Sequence, residues 1–258
     1  MKLAYRVFDP TGNITLLVET PVPAETRAAV ASRLMALEPA AEQAGFLAPD
    51  AETDVALSMA GGEFCGNATM SAAFCAAEAA GQEAGTFFVR VSGADTPVRA
   101  QVARQPDGTA RVAVDMPPPE AIGQRLLPGV GTVPVVRFPG ITHVILTEPM
   151  PRPLAERQAR VWCAALGADA LGLMFLDQRR GALTPLVYVP AVDTLCWEHS
   201  CASGTTAVGA YLAAEQGNSV ALELRQPGGS LMLEADGEIL RLTGTVRCGE
   251  RREAEIEI

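Results

Sequence analysis

Three observations point to an α+β fold of two pseudo-symmetric domains, each a curved sheet around one central helix. The chain repeats its own pattern at a period near 130 residues. Two Ala-rich stretches each open at a cysteine and reach a glycine 16 positions later. Short runs of alternating apolar residues, separated by glycine turns, follow each stretch.

The elements can be justified in order. Asn13-Ile14-Thr15-Leu16 reads as the start of a strand, and His143-Val144-Ile145-Leu146 matches it 130 residues later. Pro21-Val22-Pro23 precedes a helix with Val30, Leu34 and Leu37 on one face. Pro151-Arg152-Pro153 precedes another, carrying Leu154, Val161, Trp162 and Leu166. Phe46-Leu47 and Phe175-Leu176 follow at an offset of 129. Next come the two cysteine stretches, Cys65 to Gly81 and Cys201 to Gly217, with Thr69 and Thr205 at the same offset. Small residues at the start and alanines throughout predict tightly packed, buried helices that a glycine ends. Phe87/Val89/Val91, Val98/Ala100/Val102 and Val112/Val114/Met116 then alternate as strands, with Pro106-Asp107-Gly108 as a hairpin turn. Leu222-Leu224, Leu231-Leu233 and Ile239-Leu240-Leu242 play this part in the second half. Their turns are Gly228-Gly229 and Asp236-Gly237. Met116-Pro117-Pro118-Pro119 marks the domain exit. The expected domains are 1–120 and 121–258, with the last strand, 251–258, returning to pair with the first domain.

Composition excludes several function classes. A net charge of −10 argues against nucleic acid as a partner. No leader segment and no apolar run of ~18 residues is present, so a cytoplasmic, non-membrane protein is expected. In that compartment cysteines stay reduced, and six of them are not a disulfide framework. None forms a Cys-x-x-Cys pair, so no metal site is expected. There is one lysine, Lys2. A pyridoxal enzyme needs a lysine Schiff base, and Lys2 precedes any plausible site. No cofactor is expected.

The repeat divides the cysteines. Cys75, Cys163, Cys196 and Cys248 read as buried fillers. Cys65 and Cys201 stand at equivalent helix starts with small neighbours, Gly66-Asn67 and Ala202-Ser203-Gly204. A helix N-terminus offers unpaired N–H groups and a partial positive charge, which favours a thiolate and holds a carboxylate. Two such ends facing one substrate would suit inversion of a stereocentre α to a carboxylate. One thiolate would take the α-proton while the opposite thiol delivers another, and the helix ends would stabilise the charge that develops.

These residues resemble a known family. Cys65-Gly66-Asn67-Ala68 and Cys201-Ala202-Ser203-Gly204-Thr205 are similar to the two active-site motifs of the diaminopimelate epimerase superfamily. That superfamily also holds proline and hydroxyproline racemases and cofactor-independent histidine racemases. Thr11-Gly12-Asn13, Glu42-Gln43, Gly62-Glu63-Phe64-Cys65 and Leu242-Thr243-Gly244 are similar to further family segments, so the resemblance covers nearly the whole chain. It implies a cofactor-independent amino-acid racemase or epimerase with Cys65 and Cys201 as the base and acid pair. It implies that backbone N–H groups of Gly66, Asn67, Ala202 and Ser203 hold the carboxylate. Asn13, Gln43, His143 and Glu198 would line the site, the last two tuning the thiols or holding the ammonium group.

The departures bear on the substrate. Ile141 stands where diaminopimelate epimerases have an asparagine. Thr184-Pro185-Leu186 and Glu198-His199-Ser200 replace two further segments that bind the distal end of their substrate. Diaminopimelate is therefore a poor fit, and histidine is the specific candidate. The alternatives are an isomerase of the phenazine-biosynthesis type, a thiol nucleophile at Cys201, and an amino-acid-binding protein without activity. The expected partner is a small-molecule amino acid, with a homodimer possible. Arg179-Arg180 and Arg251-Arg252 read as solvated surface.

Overall fold

The computed structural model describes residues 1–236 and 239–257. The first half contains β1 (Lys2–Pro10), β2 (Thr15–Val18), α1 (Arg27–Leu37), β3 (Gln43–Ala48), β4 (Val55–Met59), α2 (Gly66–Ala79), β5 (Ala84–Val91), β6 (Val98–Arg104) and β7 (Thr109–Met116). The second contains β8 (Ala121–Leu127), β9 (Gly131–Phe138), β10 (Ile141–Leu146), α3 (Arg152–Leu166), β11 (Leu171–Asp177), β12 (Ala182–Val189), β13 (Thr194–Trp197), α4 (Ala202–Gln216), β14 (Val220–Gln226), β15 (Gly229–Ala235) and β16 (Leu240–Glu255). The chain is mostly strand with few helices, more sheet-rich than the expected α+β balance. The turn expected at Asp236-Gly237 lies in part outside the described residues.

Two compact units form, Met1–Asp115 with Thr243–Ile258, and Met116–Leu242. The boundary expected at 120 therefore falls at 115. The return to the first unit begins at 243 rather than 251, because β16 is one continuous 16-residue strand. Along β1 it pairs antiparallel from Pro10↔Val246 to Lys2↔Glu255.

In the first unit the strand order is β1-β2-β3-β4-β5-β6-β7. Two parallel pairs, β2 with β3 and β4 with β5, require helical crossovers, and α1 and α2 supply them. Every residue of α2 from Gly66 to Ala77 is buried. That helix packs against β1, β2, β4, β5 and β6, so the sheet curves around it. Alanines let the strands approach from all sides, as the composition implies. On α1, Val30, Ala31 and Leu34 are buried with Leu3, Tyr5, Leu16 and Phe46. Leu37, expected on that face, is 57 % exposed because the helix ends there.

The second unit has the order β15-β14-β12-β11-β10-β9-β8, with β13 also on β12. Here β10 and β11 are the parallel pair that α3 bridges. The buried stripe of α3 is Ala155, Ala159, Trp162 and Cys163. Val161, expected on it, is 53 % exposed, since it lies 100° from Trp162 on the helix wheel. The first two and a half turns of α4 are buried, from Ala202 to Ala210. They pack on β9, β10, β11, β14 and β15.

Candidate active site

Each cysteine helix is capped by the cysteine itself. Cys65 and Cys201 have extended backbones, at φ −132° and −127°. Each thiol accepts the N–H of the third helical residue, Ala68 and Gly204, both at 3.4 Å. This is the usual N-cap bond with sulfur in place of oxygen. The equivalent threonines explain their shared offset. Thr69 and Thr205 donate their hydroxyls back to the carbonyls of Cys65 and Cys201, at 2.7 and 2.8 Å. The N–H groups of Gly66, Asn67, Ala202 and Ser203 occupy the first two helical positions, where the helix offers them no acceptor.

In the first unit the thiol heads a polar network. Cys65 donates to Gln43 Oε1 at 3.0 Å. The Gln43 amide nitrogen donates to Asn13 Oδ1 and to Thr15 Oγ1. Asn13, fully buried, donates to Glu42 Oε2 at 2.7 Å. The structure thus brings together Asn13, Gln43 and Cys65, and adds Glu42 and Thr15. In the sequence Glu42 stands out only as part of a pair with Gln43. Asn13 is placed by a tight loop in which Thr11 has φ 56° and Gly12 φ 87°. Thr11 is held in this strained conformation by three bonds to Thr245: its N–H and its hydroxyl donate to the Thr245 carbonyl at 2.8 and 3.2 Å, and its hydroxyl accepts the Thr245 N–H at 3.1 Å.

In the second unit Cys201 heads a different chain. Its Sγ is 3.7 Å from Ser203 Oγ, which lies 3.0 Å from His143 Nε2. Burial pushes the Cys201 thiol well above its ordinary range, and the neighbouring Glu198 carboxylate pushes it the same way. The Gly204 N–H and the Ser203 hydroxyl pull it back. Complete burial brings the His143 imidazole down to about 3, so it is neutral at physiological pH. Its ring stands edge-on to Phe138 and fills the space over Gly172, where a Cβ would come within 2.2 Å of Nδ1. His143 is therefore a buried partner of Ser203.

The remaining cysteines divide. Cys75 and Cys163 are buried, as fillers should be. Cys196 and Cys248 are only partly buried, because each sits on a strand at a position half open to solvent. Arg251 and Arg252 are exposed yet paired with Glu19 and Glu38. Among the described residues no cluster suits a metal ion, and no helix is long and apolar enough to cross a membrane. Lys2 is exposed at the start of β1 and pairs with Glu253 at 2.7 Å.

A fold of this kind is that of proline racemases. A probable proline racemase from Agrobacterium radiobacter K84 superimposes with a TM-score of 0.70 at 13 % identity, over 99 % of this chain and 93 % of its own. The family follows from the sequence match. The model of the histidine racemase CntK N-terminal domain covers residues 2–247, and the chain belongs to that family. A histidine racemase of Staphylococcus aureus (strain Mu50) is 29 % identical over 247 residues, 90 % of this chain and 88 % of its own. A histidine racemase of Fusobacterium nucleatum subsp. nucleatum is 28 % identical, over 92 % and 91 %. The protein is an isomerase of the amino-acid racemase and epimerase class.

Proposed function

We propose that the protein inverts histidine at its α-carbon by a two-thiol mechanism without a cofactor. The observation that carries this reading is the matched pair of helix starts, each capped by a cysteine thiol within its own polar network. The family match supports the substrate class, and two relatives that are histidine racemases support histidine. The one lysine is exposed and ion-paired, which fits a reaction needing no Schiff base.

In this mechanism the substrate carboxylate lies on the N–H groups of Gly66, Asn67, Ala202 and Ser203. One thiolate breaks the α-C–H bond and keeps the proton as S–H. The electron pair passes into the carboxylate, whose growing negative charge is met by the positive ends of α2 and α4. The opposite thiol then gives its proton to the other face of the α-carbon. Cys201 rests protonated, because burial and Glu198 disfavour its thiolate. Glu198 receives that proton when the reaction runs the other way, and Ser203, braced by His143, donates to the thiolate that remains. Gln43 accepts the Cys65 thiol's hydrogen bond, Asn13 and Glu42 orient Gln43 in turn, and these residues line the substrate's side.

The test is incubation of single amino acids in D2O under reducing conditions, with histidine, proline and diaminopimelate compared. Histidine should gain α-deuterium and lose optical rotation. Cys65→Ala and Cys201→Ala should each lower kcat/KM for inversion by on the order of a thousandfold or more. Absence of α-exchange with every amino acid, or full inversion by either variant, would overturn the proposal.

A further inference from the structure

We propose that Gln226 is a positioning residue for Cys201, setting the peptide that aims its thiol. The inference rests on the two-thiol reading above. Gln226 ends β14 and is 8 % exposed. Its Oε1 accepts the Cys201 N–H at 2.8 Å, and its Nε2 donates to Thr205 Oγ1 at 2.8 Å. Thr205 in turn donates to the Cys201 carbonyl at 2.8 Å. The three bonds close a ring around the cysteine, holding its N–H and its carbonyl through one amide and one hydroxyl.

A helix start has an ordinary way to achieve this. In a capping box, a Glu or Gln at the third helical position reaches back to the N-cap N–H. In α4 that position is Gly204, and a side chain there would have to displace Met174. A Cβ on Gly204 would stand 2.1 Å from Met174 Sδ and 3.2 Å from Cys201 Sγ. The space needed beside the thiol thus removes the normal partner, and Gln226 supplies it from the neighbouring strand. That strand is a rigid support, since β14 pairs with β15 from Val220↔Ala235 to Gln226↔Gly229. Just beyond it, the Gly228 N–H donates to the His199 carbonyl at 2.8 Å, so the approach to Cys201 is fastened at two points.

The corresponding place after α2 does a related job with other atoms. Ser92, immediately past β5, accepts the Met59 N–H at 2.9 Å and donates to the Glu63 carbonyl at 3.0 Å. There the clamp grips the residues before Cys65. The Gln226 amide, by contrast, bonds the Cys201 N–H itself. Glutamate would keep the acceptor, lose the donor to Thr205 and add a negative charge beside a buried thiol that already faces Glu198. Leucine would keep the volume and lose both bonds.

The experiment compares wild type, Gln226→Leu and Gln226→Glu, each checked for folding by its thermal transition. One readout is histidine inversion, and misplacing the thiol should lower kcat about ten- to a hundredfold. KM should stay within about threefold, because the carboxylate is held by other N–H groups. The second readout needs no activity. Titration of ¹³Cβ-labelled cysteines reports each thiol separately, with Cys65 as internal control. The Cys201 midpoint should rise in Gln226→Glu and move in Gln226→Leu, while that of Cys65 stays. Wild-type kcat with an unmoved Cys201 titration in either folded variant would overturn the positioning role. So would equal shifts of both thiols, which mark general loosening. If wild type inverts no amino acid, the functional reading fails, and the Cys201 titration alone still decides the role of Gln226.

Discussion

His143 carries a pH signature that its site makes specific. Its imidazole is neutral in the folded protein because burial holds it at about 3. In the unfolded chain it takes up a proton below about 6.5. The folded state therefore binds fewer protons below that value, and stability is lost as the pH falls from about 6.5 toward 3. At pH 5 this amounts to about 2 kcal/mol. His143→Gln cannot ionise but can still meet Ser203, so it removes this part of the slope. Urea unfolding of both proteins at pH 7 and pH 5 checks the expectation: the variant should lose clearly less stability. The residue was legible as a candidate because the repeat sets it opposite Asn13. Its partner was not. The resemblance implicates only the Ser203 backbone N–H, and the packing shows its hydroxyl between His143 and Cys201.

Helix α4 is matched to its sheet through glycine as well as alanine. A Cβ on Gly209 would come within 2.0 Å of Leu233 Cδ2 on β15, and Leu233 is itself buried. Gly→Ala in a helix interior gains about 1 kcal/mol from backbone entropy. Overpacking a closed core costs about 1–3 kcal/mol, so the steric term wins. Gly209→Ala should lower Tm by a few degrees. Adding Leu233→Ala should cost less than the two single changes summed, since one change makes room for the other. Elements with clean periodicity were readable in the chain, including both cysteine helices and the hairpins after them. Others were hidden for physical reasons. The register of β1 shifts between Arg6 and Phe8, which breaks its alternation. Most of β8 faces solvent, and β12 carries Pro185, a residue that reads against a strand.

For the molecule as a whole, the proposed reaction requires both thiols to reach opposite faces of one α-carbon. Two thiols that close should join on mild oxidation. Diamide takes the two hydrogens and leaves a disulfide between Cys65 and Cys201. We expect loss of inversion on treatment, recovery with dithiothreitol, and a cross-linked peptide pair in mass spectrometry. Substrate bound between the thiols should protect them. Oxidation that spares activity, or joins other cysteines first, would count against a shared site. The chain path also has a consequence at this level. Residues 243 onward complete the unit that residue 2 begins, and the 250s carry Ile256 into its core. Local patterning could place a returning strand near the end of the chain, but not how early it starts.

The linear sequence by itself determined the two cysteine helices, their boundaries and their likeness to each other. The single lysine, Lys2, argues against a lysine-bound cofactor, and the resemblance to the diaminopimelate epimerase superfamily implies the short list of Asn13, Gln43, His143 and Glu198. The helices and the lysine count follow from composition and spacing, which are local. Tertiary structure alone decided that Glu42 and Thr15 join the first network, that Gly172 makes room for His143, and that Gln226 holds Cys201. Each of those contacts joins residues 25 or more apart whose partner depends on strand register and packed volume. No periodicity in the chain encodes such a meeting. It is set by which side chains the folded sheet brings within hydrogen-bond distance.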